Sequence, residues 1–150
     1  MRPERVDHTA IVVRDLDEAI PRWQRLTGGK LAVRKVVESQ AVEIAMLAIG
    51  DSQLELISPQ SSDSGVARYL EKHGEALHHV GLRVADIDEA IEALISEGFA
   101  MIDPRPRQGA HGRIVFLKPR STGGVLVELI QHVDAVPGLE NDPQAADSAP

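Results

Sequence analysis

The chain has 150 residues, enough for one compact domain or two small halves that share a core. With no cysteine it forms no disulfide, thiolate metal site or cysteine nucleophile, and a net charge of −7 argues against a phosphate-backbone partner. No apolar run is long enough to span a bilayer and the N-terminus lacks an apolar signal segment, so the expectation is a soluble, cytoplasmic protein without membrane or nucleic-acid partners.

Aromatic residues make up only 3% of the chain, so its core must be built from Val, Ile, Leu and Ala. Residues 6–13 alternate apolar with other side chains and read as a strand. Asp15 is the expected helix N-cap, with Glu18 completing a capping box. Ile20, Trp23 and Leu26 then recur at helical spacing, Pro21 is expected in the first turn, and Gly28-Gly29 ends the helix. Short strands are expected near 31–37, 41–48 and 53–57. Residues 59–76 form a connector with a short helix around Val66–Lys72. A strand over 78–84, a cap at Asp86, a helix to Glu97 and a stop at Gly98 follow. Later strands are expected near 99–102, 113–117 and 124–131. Residues 134–150, rich in Pro, Ala and Asp, read as a disordered tail.

The second half repeats the first. Residues 7–20, DHTAIVVRDLDEAI, recur at 78–91 as HHVGLRVADIDEAI, and Glu55-Leu56-Ile57 recurs as Glu128-Leu129-Ile130. Two matches in order and at nearly equal offset predict an α+β fold of two βαβββ modules, over 1–58 and 77–133, related by a pseudo-two-fold. Such packing would bring first strands and last strands around one cleft. His8, Glu55, His79 and Glu128 sit on apolar strand faces, where a carboxylate is costly unless it is paired or bound to metal. Imidazole and carboxylate together suit divalent ions such as Zn²⁺, Co²⁺, Ni²⁺, Fe²⁺ or Mn²⁺, and four protein ligands on an octahedral ion leave two positions for substrate oxygens. The bland alternative is a pair of strand-edge histidines and two solvent-facing glutamates.

Five segments carry a family resemblance: VDHTA at 6–10, QLELISP at 53–59, LHHV at 77–80, GAHG at 109–112 and GVLVEL at 124–129. The chain resembles the glyoxalase/vicinal oxygen chelate superfamily and, within it, the methylmalonyl-CoA epimerases. The resemblance implies a mixed eight-stranded sheet curling around one metal cleft. It implies a divalent ion on His8, Glu55, His79 and Glu128, with Co²⁺ first and Mn²⁺, Ni²⁺, Zn²⁺ or Mg²⁺ as alternatives. It implies an isomerase acting on an acyl-CoA, with Glu43 and Glu128 as the two acid–base groups, and a homodimer. Glu55 stands where some epimerases carry Gln. Lys118 stands where many relatives have His, and the segment Gly109–Pro119 is one residue short, both departures being expected near the cleft. The alternatives are a glyoxalase I-type isomerase (lactoylglutathione lyase) and a non-catalytic small-molecule-binding protein of the same fold. His111 is a further candidate for substrate contact, and Arg105 and Arg107 for CoA phosphates.

Overall fold

A computed structural model describes residues 2–132, so the expectation of a disordered tail at 134–150 lies outside the described residues. The elements run β1 (Arg5–Val12), α1 (Leu16–Thr27), β2 (Lys30–Val37), β3 (Val42–Ile49), β4 (Ser52–Pro59), α2 (Gly65–His73), β5 (Ala76–Arg83), α3 (Ile87–Ser96), β6 (Arg107–Gln108), β7 (Gly112–Leu117) and β8 (Val127–His132). All eight strands join one mixed sheet in the order β2-β3-β4-β1-β5-β8-β7-β6. That order is symmetric about its centre. β1 pairs in parallel with β4 as β5 does with β8, and β1 meets β5 antiparallel.

Asp15 and Asp86 cap α1 and α3 alike, each accepting backbone N–H bonds from the first turn. Each helix covers the outer face of its own half. Leu16, Ala19 and Ile20 pack with Ala45, Leu47 and Leu56, while Ile87, Ala90 and Ile91 pack with Val115, Leu117 and Leu129. Truncating a fully buried member such as Leu129 to Ala would cost about 2–5 kcal/mol. The inner faces enclose a third cluster of Ala10, Val37, Val42, Ile44, Met46 and Ile57, which walls a cleft.

Three local expectations are corrected. Pro21 lies inside α1, beyond its first turn. It is exposed, as is Asp17, whose carbonyl it leaves without a helical partner. Leu26 is 72% exposed and only Trp23 continues the apolar stripe beyond Ile20. The strand expected at 99–102 is a single bridge between Met101 and Leu117. Pro104 and Pro106 lack the N–H a ladder needs, and pairing resumes at Arg107–Gln108. Among the described residues no helix is long and apolar enough to cross a membrane.

Candidate metal centre

Four adjacent strands supply the site: His8 from β1, Glu55 from β4, His79 from β5 and Glu128 from β8. All four side chains are buried. His8 Nε2 lies 3.0 Å from His79 Nε2, 3.1 Å from Glu128 Oε2 and 3.6 Å from Glu55 Oε2. His79 Nε2 lies 3.6 Å from Glu55 Oε2 and 3.7 Å from Glu128 Oε2. With metal–nitrogen bonds of about 2.1 Å, two ligands at right angles on an octahedral ion stand about 3 Å apart, and tetrahedral ligands about 3.4 Å apart. The observed spacings bracket these values. His8, Glu55 and His79 each offer a ligand atom within 4.8 Å of the other two, so these residues fit a divalent ion, and Glu128 closes on both imidazoles from β8.

Two β-bulges orient the imidazoles. The β1–β5 register slips at Asp7, between Val6 and His8, and again at His78, between Leu77 and His79. A bulge breaks strict face alternation, so a residue and its neighbour can both turn inward. Asp7 Oδ1 lies 3.0 Å from His8 Nδ1, and His78 Nδ1 lies 2.9 Å from His79 Nδ1. Each bulge residue therefore fixes the ring whose Nε2 points into the cluster. Asp7 Oδ2 also bonds His132 Nε2 at 2.7 Å. Opposite His8 in the ladder stands Gly81, where a Cβ would fall 2.3 Å from His8 Cε1. Gly81 thus makes room for the ring.

The charges are strongly coupled. Burial alone disfavours an imidazolium at His8, but Asp7, Glu128 and Glu55 outweigh it and push the group up to about 10. Burial would raise Glu128 too, yet hydrogen bonds from His79 and His8 hold it at about 2. Glu55 is raised, by burial above all, against the opposing pull of His8 and His79. Burial pushes the Asp7 carboxyl up, but its bonds to His132 and His8 prevail and hold it well below the usual range. The cluster's carboxylates thus favour a positive charge at the His8 ring.

Around the cluster the cleft is apolar, walled by Val42, Ile44, Met46, Ile57, Ile114 and Phe116. It leaves about 50 Å³ of free space, room for an ion and a few non-hydrogen atoms. Past Gln40, Val66, His78 and Phe116 it meets a wider groove of about 400 Å³. Arg107 lines that groove with its guanidinium 5.6 Å from the Phe116 ring centre, while Arg105 is tied to Asp103.

Glu43 is not brought to the site. β3 turns Val42, Ile44 and Met46 to the cleft, and Glu43 to the α1 side with Ala45 and Leu47. There Arg34 Nε holds it at 2.8 Å, and Arg34 also binds Asp17 of α1 at 2.6 Å. Lys118 is likewise absent from the cleft lining, at the start of a turn after β7. His111 does line the cleft, and so does His78, which supports His79. Asp7, His78, Gly81 and His132 went unassigned in the sequence, although Asp7 and His78 occupy matching places in the repeat.

Residues 7–117 match the model of the Glyoxalase/Bleomycin resistance protein/Dioxygenase superfamily. The protein YqjC of Bacillus subtilis is 39% identical over 85% of this chain and 91% of its own length. The ethylmalonyl-CoA/methylmalonyl-CoA epimerase of Cereibacter sphaeroides is 31% identical over 85% of this chain and 97% of its own. A solved methylmalonyl-CoA epimerase in complex with methylmalonyl-CoA superposes with a TM-score of 0.84 at 34% identity, covering 88% of this chain and 96% of that one. With a shared fold, two repeated halves and the sequence match over most of its length, the chain belongs to the Glyoxalase/Bleomycin resistance protein/Dioxygenase superfamily.

Proposed function

We propose that this chain, an isomerase of the epimerase type, interconverts the epimers of a 2-substituted malonyl thioester, methylmalonyl-CoA in the first instance. The observation that carries this reading is the pairing of Glu55 and Glu128. They come from the matching strands β4 and β8 and approach the His8–His79 pair from the two halves of the chain. Epimerisation removes a weakly acidic α-proton and returns one to the opposite face, so it needs a proton carrier on each side. In this reading Glu128 serves one side and Glu55 the other, and Glu43 has no part. A divalent ion held by His8, Glu55, His79 and Glu128 would supply fixed positive charge to the oxygens of the developing enolate. Co²⁺ is the first candidate, ahead of Mn²⁺, Ni²⁺, Zn²⁺ and Mg²⁺. The apolar walls keep bulk water from the carbanion.

The free space beside the cluster suits a small acyl head, while the CoA arm would lie in the outer groove with Arg107 near its phosphates. Exposed Leu77 and Val125 support the proposal of a homodimer. The test is incubation of the Co²⁺-loaded protein with (2R)-methylmalonyl-CoA in deuterated water. The expected result is deuterium at the α-carbon and an epimer ratio moving toward unity. No exchange, together with turnover of a glutathione hemithioacetal, would instead identify a lactoylglutathione lyase.

A further inference from the structure

Among the described residues one buried side-chain polar atom has no hydrogen-bond partner, and it belongs to His111. His111 lies between β6 and β7 and lines the same cleft as the four cluster residues. Its Nε2 is sealed from solvent. A buried polar atom without a partner costs about 1–3 kcal/mol, so its retention calls for an explanation.

The loop that carries it is held firmly. Gly109 N–H donates to the Gly112 carbonyl at 2.7 Å, which closes the turn. A Cβ on Gly112 would fall 2.1 Å from the Gln131 carbonyl oxygen, so the loop lies against β8 as only glycine allows. From the other half of the chain, Lys35 Nζ on β2 donates to the Ala110 carbonyl. His111 is thus presented from a loop fixed on two sides. Burial first, then the positive charges of Lys35, His132 and His8, lower its pKa, so the ring is neutral near pH 7 and carries a single N–H.

The cleft offers an incoming acyl group mostly apolar walls, the carboxylates Glu55 and Glu128, the mutually bonded imidazoles of His8, His78 and His79, and the Gln40 amide where it opens to the wider groove. An acyl group with its own free carboxylate needs a hydrogen-bond donor that is not already engaged. We propose that His111 donates its Nε2–H to a carboxylate oxygen of the bound acyl group, making it the residue that selects malonyl-type over monocarboxylic thioesters. This rests on the epimerase reading and names what that site recognises.

The test compares two thioesters on Zn²⁺-loaded protein: methylmalonyl-CoA and isobutyryl-CoA, in which a methyl group replaces the carboxylate. His111→Ala should weaken methylmalonyl-CoA binding about ten- to a hundredfold, the range for a hydrogen bond to a charged group. Isobutyryl-CoA affinity and zinc content should stay within about twofold, the insensitivity expected of a contact made only to the carboxylate. His111→Gln, which keeps a donor, should recover part of the loss. In ¹⁵N-histidine spectra the His111 Nε2 resonance should move with methylmalonyl-CoA and not with isobutyryl-CoA. Equal loss for both thioesters, or none for either, overturns the proposal. If wild-type protein binds neither thioester, the epimerase reading fails. Malonate then tests His111 separately, and an Nε2 resonance that malonate leaves unmoved overturns the role.

Discussion

Asp7 and His78 stand at matching places in the two halves, each the extra residue of a bulge and each bonded to Nδ1 of the histidine that follows it. They are not equal supports. Asp7 is a carboxylate that also binds His132, whereas burial, followed by the charge of His79, pushes His78 down to about 4, so it bonds as a neutral ring. A charge-assisted bond holds a ligand ring more strongly than a neutral one. Asp7→Ala is expected to weaken Co²⁺ binding about 10–100-fold and His78→Ala by less, read by titration with the metal. Equal losses would show that the carboxylate adds nothing beyond position.

The same cluster sets a pH dependence. In protein stripped of metal, the pKa of His8 is raised to about 10, so its stabilising contribution is full below the unfolded value near 6.5. That contribution is lost as pH rises through 10. Glu128 works in the opposite sense. Held at about 2, it contributes above its unfolded value near 4.5 and the contribution is lost as pH falls toward 2. Metal-free protein should therefore melt highest between about pH 5 and 6.5 and at lower temperature by pH 9. Metal binding must displace the His8 proton, so apparent Co²⁺ affinity should rise about tenfold per pH unit between 6.5 and 9. Calorimetric melts and metal titrations across that range check both statements; a flat affinity would mean that no proton leaves.

Much of this was legible in the sequence because the repeat duplicates it. The caps at Asp15 and Asp86, the two packed helix faces and the four cluster residues each recur in both halves. What escaped depends on which way a side chain turns. The inserted residues at Asp7 and His78 break the alternation from which strand faces are read. On β3 both faces are buried, one against α1 and one in the cleft, so the alternation of the strand could not tell which side Glu43 faced. Leu26 keeps the helical period but lies in the last turn of α1 and is exposed.

Gly81 tests how closely the site is built. Its counterpart in the first half is Ala10, which faces His79 in the ladder without displacing it. Gly81→Ala would set a methyl group 2.3 Å from His8 Cε1, so the ring must swing away. A ligand displaced by about 1 Å can cost a hundredfold in activity. The variant should fold, with an unchanged circular dichroism spectrum, and lose metal at stoichiometric loading. Full metal content in Gly81→Ala would mean that the strands can part to accept the methyl group.

Glu43 and Glu128 are separated by the same comparison of faces. Glu43 is engaged by Arg34 on the α1 side of β3, while Ile44 beside it walls the cleft. A side chain that does not reach the cleft cannot take up the α-proton, since proton transfer needs an approach of about 3 Å or one bridging water. Glu43→Gln should therefore keep metal content and epimerisation within about threefold of wild type, as expected of a surface change away from the site. Glu128→Gln and Glu55→Gln should each lower activity by about 10²–10⁴-fold, the usual worth of a positioned acid–base group. Each also removes a candidate ligand charge, so metal content must be measured alongside. Mass-resolved α-deuterium exchange then divides their roles: if each serves one face, each variant should exchange one epimer of methylmalonyl-CoA more slowly than the other. A large loss in Glu43→Gln with metal retained would place that side chain in the cleft during turnover, after leaving Arg34 and crossing from the α1 face of β3.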